Sequence, residues 1–327
     1  MSPERPVRTP QPLPPSGEQV TIRHGRHEVD AVGVAAGLRR YRYDGRDLLD
    51  GFAEQERPSG ARGQTLVPWP NRIGGGRYVL DGVTQQLALT EPAHDTAIHG
   101  LGRWVPWQPV EVRDDAVTWR YVVPPQPGWP TSLDCHVAYR VDDHGLTVST
   151  RARNVGGARC LYGTGSHPYL TVGTALVDDA TLRLPAATCF DTDEHGIPVG
   201  SRPVDGSPAD LRSAQPIGHR VLDTAYADLA RDPDGRWRAR LEAPDGRGVV
   251  LWADAAYGYA QVFTGDTLPP ALRRRGVAVE PMTCPPDAFN APDPRAVGVV
   301  VLEPGDEHEA TWGLHPLAGV APAGRGR

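Results

Sequence analysis

The sequence predicts an all-β fold, a large antiparallel β-sandwich with few short helices, on the basis of three observations. Apolar and polar residues alternate with the period of two that β-strands require, most clearly over residues 133–148. The 327 residues include 37 glycines and 34 prolines, well above the average combined share of about 12%. So many turn-forming residues favour many short strands. Helical periodicity, the third criterion, is poor throughout the chain.

Three hairpins are predicted, in chain order, from strand-like runs that flank turn residues. In YVLDGVTQQLAL the dipeptide DG at 81–82 separates two apolar runs, which is the commonest short hairpin signal. The same pattern recurs around the aspartates at 114–115 and again around the turn at 142–145. The best candidates for short helical turns lie near 46–56 and 208–214.

The chain contains no linker and no repeat of fixed period, so one large domain is predicted over residues 19–317. A proline-rich segment at 1–18 is expected to be a disordered arm, and 318–327 a flexible tail. The arm lacks the apolar core of a signal peptide, and no apolar run reaches the length of a membrane span. We therefore expect a cytoplasmic protein with no membrane partner.

Composition excludes several classes of function. A formal net charge of −6 argues against a nucleic-acid partner. The chain contains no lysine, so all 34 basic side chains are arginine, which excludes lysine Schiff-base chemistry, pyridoxal phosphate enzymes and a Walker lysine. The four cysteines are too scattered for a disulfide framework and are expected to be free thiols: Cys135, Cys160, Cys189 and Cys284.

The string YGTGSHPYLTVG, residues 162–173, presents a histidine with unusual neighbours. Pro168 disfavours the α conformation at His167, so the imidazole is expected to project from a strand end or a turn. Histidine is the side chain whose ordinary pKa allows proton transfer near neutral pH. By itself, the string is more typical of a buried structural histidine.

Two further strings carry polar side chains between prolines, glycines and tryptophans. In LVPWPNRIGGGRY, Asn71 and Arg72 present an amide and a guanidinium, which bind hydroxyls or carboxylates, and Trp69 offers a surface for sugar stacking. In TAIHGLGRWVPW, His99 precedes a glycine. His94 and His99 lack a third ligand at any familiar spacing, so no metal site is predicted.

The string RRRGVAVEPMTCPPDAFN places Glu280 at the end of an apolar run and before a proline. A carboxyl group partly removed from water has a raised pKa, which makes it a better base near neutral pH. An ion pair between Glu280 and one of the arginines at 273–275 is the alternative. Asp223, in HRVLDTAYADL, and Gln261, in YAQVFTGDTL, are weaker candidates.

Together these strings resemble the aldose 1-epimerase, or galactose mutarotase, family. The matching strings, in chain order, are PWPNRIGGGRY, IHG, GSHPYL, LDTAY, QVFTGD and VEPMTCPPDAFN. The resemblance implies a galactose mutarotase-like β-supersandwich that interconverts the anomers of a free aldose without a cofactor. It makes Glu280 the general base and His167 the general acid. It also implies a sugar-binding set of Asn71, Arg72, His99, Asp223, Gln261 and Tyr169.

Three alternatives to a free-sugar epimerase stay open from the sequence. A glycoside-processing enzyme of similar fold would use Asp223 and Glu280 as a carboxylate pair. A phosphosugar epimerase would need a basic pocket, for which Arg103 or the arginines at 273–275 are available. A sugar sensor would bind without turnover. In each case the partner is a small molecule, and the chain is expected to be a monomer or a homodimer.

Overall fold

Antiparallel strands make up nearly all the regular structure in the computed structural model, which describes residues 13–319. The strands, numbered in chain order, are β1 Gln19–His24, β2 His27–Val32, β3 Gly37–Tyr43, β4 Arg46–Asp47, β5 Thr65–Leu66, β6 Arg72–Gly74, β7 Arg77–Leu80, β8 Val83–Gln86, β9 Thr96–Ile98, β10 Gln108–Val112, β11 Ala116–Val123, β12 Leu133–Asp142, β13 Gly145–Asn154, β14 Cys160–Tyr162, β15 Gly165–Ser166, β16 Tyr169–Leu170, β17 Thr181–Arg183, β18 Ala186–Thr192, β19 Pro198–Pro203, β20 Gln215–Pro216, β21 Asp223–Leu229, β22 Trp237–Glu242, β23 Gly248–Ala253, β24 Tyr259–Phe263, β25 Val277–Met282, β26 Val300–Leu302 and β27 Glu307–Leu317. The described helices are short 3₁₀ turns: Pro92–His94, Val177–Asp179, Ala288–Asn290 and Arg295–Val297.

Two large sheets organise the molecule. One sheet has nine strands in the order β10-β11-β12-β13-β27-β23-β22-β17-β20. The other has the order β19-β18-β21-β24-β25-β15-β5, with β16 also paired to β25. Buried side chains from both sheets belong to one continuous hydrophobic core. This arrangement confirms the predicted all-β sandwich.

The predicted alternation is visible in the burial of the central hairpin. Along β12, residues from Leu133 to Val141 alternate between buried and more exposed positions, and β13 continues the pattern. The strands pair from Leu133 with Asn154 to Asp142 with Gly145. The hairpin predicted around 142–145 is therefore confirmed, with its apolar face in the core.

The other two predicted hairpins are also present. β7 and β8 pair from Arg77 with Gln86 to Leu80 with Val83. Asp81 and Gly82 both have positive φ, 55° and 74°, as the two-residue turn that fits the twist of the strands requires. β10 and β11 form the hairpin around 114–115.

The predicted positions of the helical turns are wrong. Residues 46–56 contain the two-residue strand β4 and irregular turns, and 208–214 contain no helix. Leu48 and Leu49 are buried, and Leu49 forms an isolated bridge to Leu170. Burial of these two leucines, one of them bridged to Leu170, holds the start of the first segment in a non-helical conformation.

Part of the predicted arm is packed against the body of the protein. Ser16 is fully buried, and its carbonyl oxygen accepts a hydrogen bond from the backbone of Val34 at 2.8 Å. The carbonyl of Glu18 accepts another from Gly33 at 2.8 Å. The ordered structure thus begins before residue 19, whereas residues 1–12 of the predicted arm and 320–327 of the predicted tail lie outside the described residues. No helix among residues 13–319 is long and apolar enough to cross a membrane.

Polar groups gather on one part of the second sheet. They come from three neighbouring strands and from the connection that contains His167. β21, β24 and β25 are adjacent and carry Asp223, Gln261 and Glu280. His167 lies in the short connection between β15 and β16, which both pair with β25. Residues distant in sequence are therefore brought together by strand pairing alone.

Removal of a buried side chain from the nine-stranded sheet should be costly. Leu251 on β23 has no exposed surface, so Leu251→Ala is expected to lower the free energy of unfolding by about 2–5 kcal/mol. Leu176, which is 42% exposed, provides the matched control, and Leu176→Ala should change stability by less than about 0.5 kcal/mol. Equal losses in chemical denaturation of the two variants would contradict the core assigned here.

Candidate active site

A cavity of about 250 Å³ opens beside strands β21, β24 and β25. All eight of the predicted site residues line it, although they come from six separate parts of the sequence: Asn71, Arg72, His99, His167, Tyr169, Asp223, Gln261 and Glu280. Its remaining walls combine apolar and polar groups, among them Thr90, Glu91, Ile98, Arg103, Phe263 and Leu268. A small, mostly preformed cavity with a few converging polar groups is typical of a site for a small molecule.

Glu280 lies in the middle of an otherwise apolar buried strand. Every residue of β25 is buried, and Glu280 itself is 2% exposed. It lies opposite Gln261 on β24. The Gln261 amide nitrogen donates a hydrogen bond to the Asp223 carboxylate at 2.6 Å. The strand order thus sets a row of carboxyl, amide and carboxylate groups along one face of the sheet.

The partner of Glu280 is a histidine. His167 Nε2 lies 3.2 Å from Glu280 Oε1, and both side chains are nearly inaccessible to solvent. The predicted alternative, an ion pair with an arginine at 273–275, is wrong. Those arginines bind elsewhere, Arg274 to Asp178 and Asp266, Arg275 to Asp50, and Arg273 to the carbonyl oxygen of Leu268.

Burial acts on the two partners in opposite directions. It raises the pKa of Glu280 well above its ordinary value of 4.5, and the negative charge of Asp223 adds to this effect. It lowers the pKa of His167 to about 3, and the positive charges of Arg103 and Arg62 contribute further. Both directions favour the neutral forms, because a low-dielectric site penalises separated charge. Burial of this pair therefore favours a protonated carboxyl group beside an uncharged imidazole.

The hydrogen bonds of His99 define its tautomer. The backbone N–H of Asn71 donates to His99 Nδ1 at 3.1 Å, and the backbone N–H of His99 donates to the Asn71 carbonyl at 2.8 Å. Burial and neighbouring positive charges lower the pKa of His99 well below 6.5, so the ring is neutral. Since Nδ1 accepts, the ring proton is on Nε2, and His99 is a hydrogen-bond donor.

His99, His167 and Glu280 also form the cluster of the described residues that most resembles a metal site. Their ligand atoms lie within 4.8 Å of one another, and two imidazoles with a carboxylate are a known ligand set. The Asn71 N–H argues against this use. It keeps the His99 proton on Nε2, where a metal would need the lone pair. The arrangement favours hydrogen bonding to a substrate over metal binding.

Arg72 is oriented by a bidentate ion pair. Its Nε and Nη2 donate to the two carboxylate oxygens of Glu91 at 2.6 and 3.0 Å. The Thr96 hydroxyl donates to the same carboxylate at 2.9 Å. Gly196 lies against the guanidinium, where an added Cβ would be 2.7 Å from Arg72 Nη1. The planar group is thereby fixed at the edge of the cavity.

Of the two aromatic side chains Trp69 and Tyr169, the second lines the cavity and the first does not. The prediction that Trp69 offers a surface for sugar stacking is wrong, because Trp69 is 2% exposed and packs against Phe289 in the core. The Tyr169 hydroxyl donates to the Gly60 carbonyl at 2.8 Å. Tyr169 therefore contributes the face of its ring, not its hydroxyl, to the surroundings of His167.

Sequence reasoning missed several members of the cavity wall. Phe263 could have been found, because residues two apart on a strand share a face and Gln261 was already a candidate. No sequence pattern pointed to Glu91, since it lies in a polar loop and contributes to the site through its ion pair with Arg72. Arg103 was considered only as part of a basic pocket, and it lines the cavity.

Three comparisons relate this chain to known proteins. The sequence profile of a protein family described as "Aldose 1-epimerase" matches residues 18–315. The chain is 33% identical to the uncharacterized protein YihR of Escherichia coli over 302 residues, 92% of this chain and 94% of that protein. It is 25% identical to galactose mutarotase of Mus musculus, over 81% and 83% of the two chains. A GalM/aldose epimerase homologue from C. elegans shares the fold, with a TM-score of 0.82, 18% identity, and coverage of 93% and 99%.

The raised pKa of Glu280 predicts a pH-dependent cost to stability. Below pH 4.5 the carboxyl is protonated in both the folded and the unfolded chain, so it costs nothing. As the pH rises above 4.5, only the unfolded chain releases the proton readily, and wild-type stability falls. Glu280→Gln removes this cost. The variant should therefore be more stable than wild type at pH 7 and equal to it below pH 4.5.

Chemical denaturation of both proteins at a series of pH values measures this difference. A difference in the free energy of unfolding that is constant with pH would contradict a raised pKa of Glu280. A variant less stable than wild type at pH 7 would mean that the folded protein favours the ionised carboxylate.

Proposed function

We propose that this chain, which belongs to the aldose 1-epimerase family, interconverts the α and β anomers of a free aldose such as glucose or galactose. Membership of the family confirms the prediction from the six sequence strings. The observation that carries the proposed activity is the contact of His167 with Glu280 at 3.2 Å in a cavity lined by hydrogen-bonding groups. An acid and a base in contact suit a reaction that moves two protons at one carbon.

The proton held by the pair defines the starting state. Transfer of that proton from Glu280 to His167 produces a carboxylate and an imidazolium at once, without any change in the net charge of the site. The entering sugar brings hydroxyl dipoles that stabilise this charged form. Glu280 then acts as the base and His167 as the acid.

Ring opening uses both groups. Glu280 accepts the proton of the anomeric hydroxyl while His167 donates a proton to the ring oxygen, and the C1–O5 bond breaks to leave a free aldehyde. Rotation about C1–C2 exposes the other carbonyl face. Ring closure reverses both transfers and gives the other anomer. Each proton transfer contributes about 10²–10⁴-fold to the rate, and no cofactor is required.

The remaining polar groups hold the sugar during this rotation. His99 Nε2–H and the fixed guanidinium of Arg72 are hydrogen-bond donors for the two oxygens bonded to C1, which are the anomeric oxygen and the ring oxygen O5. Asp223 and Gln261 offer an acceptor and an amide for the ring hydroxyls. Such positioning keeps the open-chain aldehyde near the acid and base until it closes. Activity in the cytoplasm is part of the proposal, supported by the four cysteines, all buried as free thiols.

A sugar phosphate is the second candidate substrate, and one observation favours it. Arg103 lines the cavity, and no carboxylate among the described residues lies within 4.0 Å of its guanidinium. Its Nε donates only to Gln64, at 3.1 Å. A free guanidinium beside the site suits an anionic group on the sugar. The arginines at 273–275 do not line the cavity.

Polarimetry tests the proposed activity directly. Freshly dissolved α-D-glucose or α-D-galactose should reach anomeric equilibrium faster with the wild-type protein than in buffer. Glu280→Gln and His167→Asn each remove one proton-transfer group, so each should lower kcat by about 10²–10⁴-fold.

The outcomes separate the enzyme class from the residue roles. Acceleration by wild type and equal acceleration by Glu280→Gln would contradict the assigned base. No acceleration of either sugar by wild type would contradict free-sugar epimerase activity. Release of reducing sugar from an aryl glycoside would indicate a glycoside-processing enzyme instead.

Glucose 6-phosphate distinguishes the two candidate substrates. We expect a higher kcat/KM with glucose than with glucose 6-phosphate, as measured by the approach to anomeric equilibrium. The opposite preference, together with a selective loss of the phosphosugar reaction in Arg103→Gln, would establish the second candidate.

A further inference from the structure

His167 lacks the hydrogen-bonded partner that usually orients a histidine in acid–base chemistry. Its Nε2 contacts Glu280, while its Nδ1 is buried and has no hydrogen-bond partner among the described residues. In most such sites a carboxylate or carbonyl on the second nitrogen fixes the plane and the tautomer of the ring. Something else must fix the plane of the His167 imidazole.

Two aromatic rings pack against this imidazole. The ring of Tyr169 is nearly parallel to that of His167, with centroids 5.0 Å apart and an interplanar angle of 14°. The ring of His99 meets His167 edge-on, at 5.5 Å and 85°. Tyr169 is itself held by its hydrogen bond to Gly60. A stacked neighbour restricts rotation of the imidazole as a hydrogen bond to Nδ1 would.

A buried ion pair supports Tyr169 in turn. The guanidinium carbon of Arg62 lies 4.2 Å from the centre of the Tyr169 ring, a cation–π contact. Arg62 is 2% exposed, and its Nε and Nη2 donate to the Asp50 carboxylate at 3.2 and 2.7 Å. Arg275 donates to the other carboxylate oxygen of Asp50 at 2.6 Å. The backbone N–H of Asp50 donates to the carbonyl of Tyr169 at 2.8 Å.

We propose that Asp50, Arg62 and Tyr169 form a positioning relay that orients the His167 ring toward Glu280 and supplies a fixed positive charge behind it. The expected effects of the relay on kcat rest on the proposed function, the interconversion of sugar anomers. Its structural consequence, a single ring orientation, does not depend on which sugar is the substrate. None of the three side chains needs to exchange a proton.

The charge of Arg62 acts on the protonation of the pair. The groups that face His167 are Glu280, His99 and Tyr169, with Arg103 and Arg62 as the nearby positive charges. A positive charge disfavours each proton added to the pair. Because the pair titrates as a unit, loss of this charge moves both of its apparent pKa values upward.

Ring orientation is tested first at Tyr169. Tyr169→Leu removes the stacked ring, so kcat for mutarotation should fall by about 10²-fold, with a change in KM of less than threefold. Tyr169→Phe keeps the ring and should recover most of that loss. Imidazole ¹⁵N NMR at pH 7 provides a readout that does not need turnover. His167 should show one tautomer in wild type and Tyr169→Phe, and averaged nitrogen shifts in Tyr169→Leu.

The electrostatic part is tested by removing the ion pair as a unit. The double variant Asp50→Asn/Arg62→Gln removes both charges of the buried pair, and Arg275, which is partly exposed, loses its contact with Asp50. Arg62 is the member of the pair whose charge acts on His167, so both limbs of the pH profile for kcat should move to higher pH. The matched control is Asp30→Asn/Arg39→Gln. It removes another arginine–aspartate pair, joined at 2.9 Å in the four-stranded sheet, that does not line the cavity. The control can lose stability but should keep the wild-type pH profile.

Several results would overturn the relay. They are a single His167 tautomer in Tyr169→Leu, an unchanged pH profile in the Asp50/Arg62 double variant, or the same shift in the control. Absence of wild-type mutarotation, with the expected tautomer change in Tyr169→Leu, would refute the proposed function and leave the orienting role of Tyr169 in place.

Discussion

The contact between His167 and Glu280 is the constraint on which the rest of the site depends. A carboxyl group and an imidazole at 3.2 Å, both nearly without solvent, are costly to ionise separately because a low-dielectric interior penalises isolated charge. Burial therefore favours the uncharged form of each group. The surrounding structure must therefore keep the two groups in contact and keep water from separating them.

The antiparallel sheet meets the first of these requirements. Glu280 is fixed by the ladder between β24 and β25, and His167 by a connection whose two short flanking strands both pair with β25. The backbone of His167 is also held by Gln64 and Gly63, through hydrogen bonds of 3.0 and 2.9 Å. Both partners are thus anchored to the same strand, β25, so small motions of the sheet move them together.

Several polar groups near the site are oriented by partners of their own. Glu91 orients Arg72, Asp50 orients Arg62, and the Asn71 N–H sets the tautomer of His99. Each of these contacts lies one layer outside the acid and base. Such outer contacts decide the direction and the protonation of groups that reach the substrate. The stability lost by burying Glu280 is the kind of cost that functional sites commonly carry.

The sequence by itself determined the fold class, the three hairpins and the eight side chains that meet in the cavity, because alternation, turn residues and motif strings are local signals. It could not determine that Glu280 contacts His167 instead of an arginine, that Trp69 belongs to the core, or that residues 46–56 form no helix. Those outcomes depend on strand register and on packing between segments far apart in the chain. The positions of Glu91, Arg62 and Asp50 depend on contacts between loops that are distant in sequence. No local sequence pattern predicts such contacts.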